Sequence, residues 1–297
     1  MRLPASPPRM IQPLFEHRLE LAGYETRVLE LEGDGVPLLM FHGYADSADT
    51  WRQSLAMLGH RGRRAIAVDL PGFGTADPLT DDPVLPQLDA FAGAATRYLA
   101  GSRRRPVIAV GNSLGGCVSL RLAERMGDLL EGVVAVAPAG LEMSRLLTLV
   151  ERDPLLRSLL ALPAPVPPVV IRAAVARLYR QLAFAVPSAI DPAVVSTFCA
   201  HHRDRATVAT YLETARRLIR ELRAPFQLDR ISARVLLVWG DRDRLVFHRG
   251  AQRILDAVPG ARLELLHGIG HCPQVEVPER FTQLVLEFSS EPEAAAA

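Results

Sequence analysis

The sequence predicts an α/β protein with a mostly parallel sheet, and three observations support this prediction. Apolar, β-branched runs alternate with amphipathic helical stretches in two parts of the chain, as in sheets covered by helices on both faces. Between these parts lie about 85 residues with helical patterns only. A Gly-x-Ser-x-Gly motif follows one of the apolar runs, where a strand would turn into a helix. We therefore expect a sheet core with an inserted helical cap.

Composition limits the classes of protein that the chain can belong to. Its 297 residues (32.5 kDa) suffice for one large α/β domain or two ordinary ones, and 49% hydrophobic residues allow a large core. The formal net charge is +1, although all 34 basic residues are arginine and none is lysine. Such a balance indicates no nucleic-acid partner and no acidic membrane surface. Arginine clusters at 61–64 and 103–105 are interpreted as solvated loop charge.

The sequence also predicts a cytoplasmic protein. Cys117, Cys199 and Cys272 form neither a metal-binding spacing nor an even disulfide framework, which favours a reducing compartment. The first ten residues contain no apolar signal-peptide core, and the apolar stretch 159–171 is interrupted by prolines, so we expect no membrane span.

The first elements should form one half of the sheet. The opening fifteen or so residues are proline-rich and are expected to be loose. A hairpin is predicted around Gly23, followed by strands that alternate with helices. The predicted hairpin arms are 18–22 and 26–31, the strands 36–41, 65–69, 107–110 and 132–137, and the helices 49–58, 85–100 and 117–126.

The strand pattern then stops and later resumes. Strands are predicted again at 234–239 and 262–266, with helices at 250–258 and 278–288. We therefore assign residues 1–140 and 225–297 to a core domain and 141–224 to a helical cap, placed where strand ends of open α/β sheets bind ligands. Within the cap, helices are predicted at 141–152, 154–161, 169–184, 193–201 and 206–222, with a stiff proline connector at 162–168.

Ser113 is the candidate nucleophile. It lies at the centre of the motif Gly-Asn-Ser-Leu-Gly at 111–115, between an apolar run and an amphipathic stretch. Glycines on either side permit a strained turn that exposes the hydroxyl above the sheet edge. The following helix would direct its positive N-terminus at the reacting centre.

A serine hydroxyl needs a base, and that base needs an orienting acid. His271, on the glycine-rich loop after the last predicted strand, is the best base candidate, with His267 as its main rival. Asp241 and Asp243 both follow the preceding strand, and the residues alone do not separate them. The remaining histidines, His42 apart, are interpreted as solvated surface residues: His17, His60, His201, His202 and His248.

Two backbone N–H groups are candidates for an oxyanion hole. One belongs to Leu114, directly after the nucleophile, and the other to Tyr44, in the Phe-His-Gly-Tyr turn that ends an earlier strand. Tyr44 and Asn112 are also expected to contact the substrate. His42 is interpreted as a structural imidazole that ties its loop to the neighbouring ones. Cys117 and Cys272 adjoin these positions, and we interpret both as small buried packing residues.

These motifs, in this order, resemble the α/β-hydrolase superfamily, and within it the capped esterases and carbon–carbon hydrolases. The resemblance covers about residues 18–140 and 225–290, whereas the cap has no dependable match. It implies an α/β-hydrolase fold, with a mostly parallel eight-stranded sheet flanked by helices and an inserted helical cap. It also implies a triad of Ser113, His271 and Asp243, the aspartate being chosen over Asp241 by its distance from the glycine that ends the strand. The matching segments are 41–44, 69–74, 111–116, 239–243 and 270–271.

The chain departs from the family pattern at three places. Phe247 occupies a position where proline is frequent, Cys272 follows the base where carbon–carbon hydrolases often have an aromatic residue, and the segment 44–46 lacks their extra glycines. A serine nucleophile argues against epoxide hydrolases and haloalkane dehalogenases.

The sequence thus predicts a serine hydrolase of carboxylic esters. Because the cap is rich in leucine, valine and alanine, we expect a hydrophobic acyl or alcohol group in the substrate. No cofactor and no metal is required. The alternatives are a carbon–carbon hydrolase of ring-cleavage products, an acyltransferase or cofactor-free peroxidase on the same site, and a binding protein without activity.

Overall fold

The computed structural model describes residues 12–102, 104–145, 167–202 and 204–290. These residues contain one eight-stranded sheet in the order β1-β2-β4-β3-β5-β6-β7-β8, which confirms the predicted sheet. The strands are β1 Leu14–Leu21, β2 Tyr24–Leu31, β3 Asp34–Phe41, β4 Arg63–Val68, β5 Val107–Asn112, β6 Leu130–Val136, β7 Arg234–Gly240 and β8 Arg262–Leu266.

The sheet has an antiparallel edge and a parallel centre. β1 pairs with β2, and β2 with β4, in antiparallel fashion. The hairpin turn at Ala22-Gly23 has positive φ at both residues (54° and 82°), as a two-residue turn between twisted strands requires. All pairs from β4 through β3 and β5 to β8 are parallel. The carboxyl ends of β3, β5, β7 and β8 therefore lie at the same edge.

Helices cover both faces of the sheet, so the apolar runs of the strands are buried on two sides. One face packs around Phe41, Phe91 and Trp239, and the other around Trp51 and Phe281, all with at most 1% exposure. The helices are α1 Arg52–His60, α2 Val84–Ala100, α3 Leu114–Met126, α4 Pro168–Ala183, α5 Pro192–Ala200, α6 Arg205–Glu221, α7 Gln252–Ala257, α8 Pro273–Glu276 and α9 Pro278–Ser290.

Helices α4–α6 belong to a segment between β6 and β7, here called the insertion (described residues 141–145, 167–202 and 204–224), in which the structure assigns no strand. Phe184, Val195 and Phe198 of the insertion form a hydrophobic cluster with Cys272 and Val275. This cluster joins the insertion to the loop that follows β8. The division of the chain into a core domain and a cap domain stays a proposal.

Several predicted boundaries change. Helix α3 begins at Leu114 rather than 117, because the chain turns into the helix directly after Ser113, and β1 begins at Leu14, inside the segment expected to be loose. Residues 141–144 are not helical, since Met143 makes an antiparallel bridge with Val246. Helix α8 was not predicted. The predicted helix 154–161, residues 1–11 and most of the connector 162–168 lie outside the described residues.

In the described part of the chain, no helix combines the length and the apolar character that crossing a bilayer would need. The cytoplasmic location stays a prediction. All three cysteines are buried and free, as we expected for Cys117 and Cys272. Burial raises the pKa of the Cys117 and Cys272 thiols, which keeps both in the unreactive protonated form.

Candidate functional site

Ser113 lies on a strained turn between β5 and α3. Its φ of 54° and ψ of −110° are unfavourable for a residue with a side chain. Its N–H donates to the Val136 carbonyl (2.8 Å) and its carbonyl accepts from the Ala139 N–H (2.9 Å), so the neighbouring strand end holds the turn in place. The hydroxyl-bearing residue is half-buried.

The two motif glycines are required by close backbone approaches. A Cβ on Gly111 would overlap the backbone of Gly115, where the helix turns back against the strand. A Cβ on Gly115 would overlap the Phe41 carbonyl at the end of β3. The serine turn is therefore packed against itself and against the neighbouring strand end, and only glycine fits at these two positions.

The two candidate oxyanion donors lie beside this turn. Leu114 is the first residue of α3, so its N–H has no acceptor within the helix. The hydrogen bonds of the described residues give neither the Leu114 nor the Tyr44 N–H a protein acceptor. Both residues line the same cavity as Ser113. The Tyr44 hydroxyl donates to the Tyr211 carbonyl of α6, which ties this loop to the insertion.

His271 pairs with Asp243. Its Nδ1 lies 2.7 Å from Asp243 Oδ2, and both side chains are at least 95% buried. The other carboxylate oxygen, Oδ1, accepts from the N–H groups of Leu245 (2.8 Å) and Val246 (3.0 Å), so the carboxylate is held by two different segments. This arrangement fixes the ring orientation and leaves Nε2 for another partner.

Asp241 lies elsewhere. Its carboxylate accepts from the Gly268 N–H (2.7 Å) and contacts His267 Nδ1 (3.1 Å), whose side chain is 84% exposed. The hydrogen bond to His267 and the one from Gly268 lower the pKa of Asp241. The structure thus separates the two aspartates that the residues alone left open, and it separates His271 from its rival His267.

Ser113 and His271 both line the same cavity. The hydrogen bonds of the described residues join His271 to Asp243 and include none between Ser113 and His271. In ligand-free enzymes such contacts are commonly long and shorten when substrate binds. Asn112 links the two sides, because its amide nitrogen donates to the His271 carbonyl (3.0 Å). Its amide nitrogen is therefore engaged with protein, although Asn112 also lines the cavity.

His42 has the structural position that the sequence suggested. Its Nε2 accepts from the Leu70 N–H (2.8 Å) and its Nδ1 donates to the Gly43 carbonyl (2.7 Å). Complete burial lowers its pKa to about 4, so the ring stays neutral. A neutral ring with both nitrogens engaged joins the loop after β3 to the loop after β4.

The cavity above Ser113 has a volume of about 340 Å³, and about half of the residues that line it belong to α4, α5 and α6. Its wall is mainly apolar. Among the described residues no arginine lines it, and Asp46 is the one carboxylic acid there. The leucine, valine and isoleucine residues that the insertion contributes to the wall are Val175, Leu178, Leu182, Val208, Leu212, Leu218, Ile219 and Leu222.

Sequence reasoning missed four residues at this site. His202 is buried rather than solvated (5% exposed), between the rings of Phe198 and Tyr211. The others are Tyr179 and Asp46, which line the cavity, and Glu276, which follows His271 on α8. Two sequence features could have drawn attention to these residues. Asp46 lies two residues after the candidate oxyanion donor Tyr44, and Glu276 is an acidic residue in a mostly apolar stretch after His271.

No group of three or more histidine, cysteine or acidic side chains in the described ranges is arranged to hold a metal ion. The chemistry that this arrangement offers is that of a hydroxyl beside an oriented imidazole and two backbone donors. Such a set performs acyl transfer.

Comparison with known proteins then places the chain. The alpha/beta hydrolase family model matches residues 38–284. The protein belongs to the α/β hydrolase family. It is 29% identical to the 2-hydroxy-6-oxo-6-(2'-aminophenyl)hexa-2,4-dienoic acid hydrolase of Metapseudomonas resinovorans over 93% of this chain and 91% of that protein. It is 27% identical to the pimeloyl-[acyl-carrier protein] methyl ester esterase of Nitrosomonas europaea over 85% and 95%, respectively.

A solved structure agrees with this assignment. A serine hydrolase involved in carbazole degradation superimposes with a TM-score of 0.71 at 26% identity, covering 94% of this chain and 99% of that one. Members of this α/β hydrolase family thus include both hydrolases of dienoic acids and an esterase. Family membership supports a hydrolase, and the choice between these reactions depends on the site.

Proposed function

We propose that this protein is a serine hydrolase of neutral carboxylic esters with a hydrophobic acyl or alcohol group. The observation that carries the proposal is the composition of the cavity: Ser113 and the His271–Asp243 pair open into an apolar space of about 340 Å³. Apolar walls with few polar groups favour an uncharged, hydrophobic substrate. The insertion serves as the cap that supplies those walls.

In the proposed mechanism, His271 takes the proton from Ser113 as the oxygen attacks the ester carbonyl. Asp243 holds the imidazole in the required tautomer and stabilises the imidazolium that forms. The Tyr44 and Leu114 N–H groups bind the oxyanion, each contributing about 3–4 kcal/mol to the stability of the transition state. The imidazolium returns its proton to the leaving alcohol, and water then releases the acid by the same steps. No cofactor takes part.

The alternative is carbon–carbon bond hydrolysis, which the name of the dienoic acid hydrolase relative favours. A dienoate carries a carboxylate that a binding site must stabilise, usually with a cation. The described residues that line the cavity offer no arginine for this purpose. The ester reaction therefore fits the cavity better. An acyltransferase or peroxidase would use the same residues, and product analysis with competing alcohols or with peroxide separates them.

The decisive test combines a fluorophosphonate label with a panel of methyl esters of increasing chain length. We expect wild-type protein to be labelled and to hydrolyse medium-chain esters. Ser113→Ala should abolish labelling and lower kcat by at least about 10³-fold, because the nucleophile is lost. Ser119→Ala is the matched control, since this buried hydroxyl of α3 bonds only to the Gly115 carbonyl (2.9 Å) among the described residues.

Two results would contradict the proposal. One is retention of ester hydrolysis by Ser113→Ala at an unchanged melting temperature. The other is a wild-type protein that cleaves a vinylogous diketone acid but none of the esters, which would establish the carbon–carbon alternative.

A further inference from the structure

Asp46 is a buried carboxylic acid in the cavity that the proposed mechanism does not use. It is 7% exposed and belongs to the same loop as Tyr44. Its N–H lies 3.4 Å from the Gly43 carbonyl, which closes a turn around the candidate oxyanion donor. It lines the cavity together with Ser113 and His271.

In the described part of the chain, the surroundings of Asp46 contain hydrogen-bond donors but no paired cation. Its Oδ1 accepts from the Ser47 N–H (2.8 Å), and the nearby Thr50 side chain favours the charged form of the carboxyl. The ion pairs of the described residues include none to Asp46. The neighbouring Arg27 is already paired with Asp49 (2.7 Å) and Asp69 (3.1 Å).

Other groups around the cavity do not compensate this charge. Tyr179 of α4 and Cys272 of the histidine loop face Asp46 from the insertion and the core, and both are neutral because burial raises their pKa. The carboxylates of Asp49 and Asp69 add negative potential from the other side. The remaining titratable side chains in the described wall are Tyr44, Tyr211, His202 and the base, His271. Burial raises the pKa of Tyr44 and lowers the pKa of His202, which favours the neutral form of both.

We infer that Asp46 is a specificity-determining residue that excludes substrates carrying a carboxylate within the cavity. A second negative charge brought into an apolar space without a cation is repelled by the first and loses its hydration. Neutral chains of the same shape meet neither cost. This inference rests on the proposed ester hydrolysis and names the substrate class more narrowly.

The exclusion should depend on pH. Burial raises the pKa of Asp46 to about 7, so its carboxyl is largely neutral below this value and charged above it. Repulsion of a carboxylate substrate therefore grows as the pH rises from about 6 to about 8, the range in which such a substrate stays ionised.

The test compares methyl octanoate with monomethyl suberate, which replaces the terminal methyl group by a carboxylate, and with the corresponding terminal amide. The ratio of their kcat/KM values cancels the ionisation of His271, which affects all three substrates on the same enzyme. We expect wild-type protein at about pH 8 to prefer methyl octanoate over monomethyl suberate by about 100-fold, and less at about pH 6.

Asp46→Asn should lower this ratio about tenfold at about pH 8 and remove its dependence on pH, while the preference over the amide stays unchanged. Asp241→Asn is the matched control, because its carboxylate lies outside the cavity and bonds to Gly268. An unchanged ratio in Asp46→Asn, or a wild-type ratio that is constant with pH, would overturn the inference. If the variant does not fold, the dependence of the wild-type ratio on pH still tests the inference.

A binding measurement separates failure of this inference from failure of the proposed function. Calorimetry with octanoate and octanamide measures binding without turnover. In Asp46→Asn, the ratio of the dissociation constant of octanoate to that of octanamide should fall about tenfold. If esters are not hydrolysed but this narrowing occurs, the proposed reaction is wrong and the role of Asp46 holds. If esters are hydrolysed and the difference is unchanged, the role of Asp46 is wrong.

Discussion

The strand ends of the core and the insertion are built by different means. At the strand ends, backbone meets backbone: Gly115 lies against the Phe41 carbonyl, and a Cβ on Gly240 would overlap the backbone of Ile269 and Gly270. In the insertion, side chains meet: the rings of Tyr179 and Phe198 stack at 3.7 Å. Close backbone contacts tolerate almost no substitution, whereas ring packing tolerates many, so the core can fix the chemistry while the insertion varies the substrate.

The largest loss of kcat should come from substitution of Asp243, which follows the end of β7. In Asp243→Asn the side-chain oxygen can still accept from Leu245 and Val246, but an amide nitrogen then faces His271 and favours the wrong tautomer. We expect kcat for ester hydrolysis to fall about 10³–10⁴-fold with little loss of stability. Steady-state kinetics and a thermal melt measure both quantities.

Asp241→Asn is the control for this prediction. Its partner His267 is 84% exposed at the side chain, so the loss of this pair should change kcat less than about threefold. Equal losses in the two variants would contradict the assignment of Asp243 and would undermine the contrast between a fixed core and a variable insertion.

The second-largest loss of kcat should come from substitution of Glu276, which joins the core to the insertion. Glu276 accepts from the Gly270 N–H (2.7 Å) and from the Ala185 N–H of the insertion (2.8 Å). The His271 N–H donates to the Ala183 carbonyl (2.8 Å) close by. We therefore expect Glu276 to be a positioning residue, since it joins the loop of His271 to the insertion without lining the cavity.

Glu276→Ala should lower kcat about tenfold or more with KM changed less, because a base loop that is no longer held visits the reactive geometry less often. Glu276→Gln, which keeps one acceptor oxygen, should give an intermediate loss. Glu279→Ala, an exposed acidic residue at the start of α9, is the control. A drop in melting temperature without a change in kcat would show that Glu276 is structural only.

The same contrast explains what the sequence could predict. The parallel sheet and the strained turn at Ser113 follow from local patterns, namely alternating apolar runs and a motif whose glycines are imposed by close contacts. The number of strands and the pairing of His271 with Asp243 were implied by the family resemblance. Choosing Asp243 over Asp241 needed a family resemblance, because both aspartates follow β7 and their carboxylates meet different residues of the same loop after β8.

The sequence of the insertion contains no motif comparable to those at the strand ends. His202 was interpreted as solvated because it lies on a predicted surface element or turn, yet two rings from different helices bury it. Outside the insertion, Glu276 is held by a contact with Ala185, far away in the chain, and Asp46 meets the insertion across the cavity. Periodicity places such residues on an element but does not reveal what packs against it. The structure was needed to find the groups that shape the cavity.

The smallest effect on chemistry should come from the insertion itself. Phe198 is 9% exposed, stacks on Tyr179 and lines the cavity. Phe198→Ala enlarges the cavity, so we expect kcat/KM for long-chain esters to rise about threefold or more while that for short esters changes little.

Phe288→Ala, the control, makes the same deletion in the core, where the ring is 2% exposed on α9 and distant from the cavity lining. It should cost about 3–5 kcal/mol of stability with the chain-length profile unaltered. If both variants shift that profile equally, or if Phe198→Ala abolishes hydrolysis of short esters, substrate choice and chemistry are not divided between the two regions.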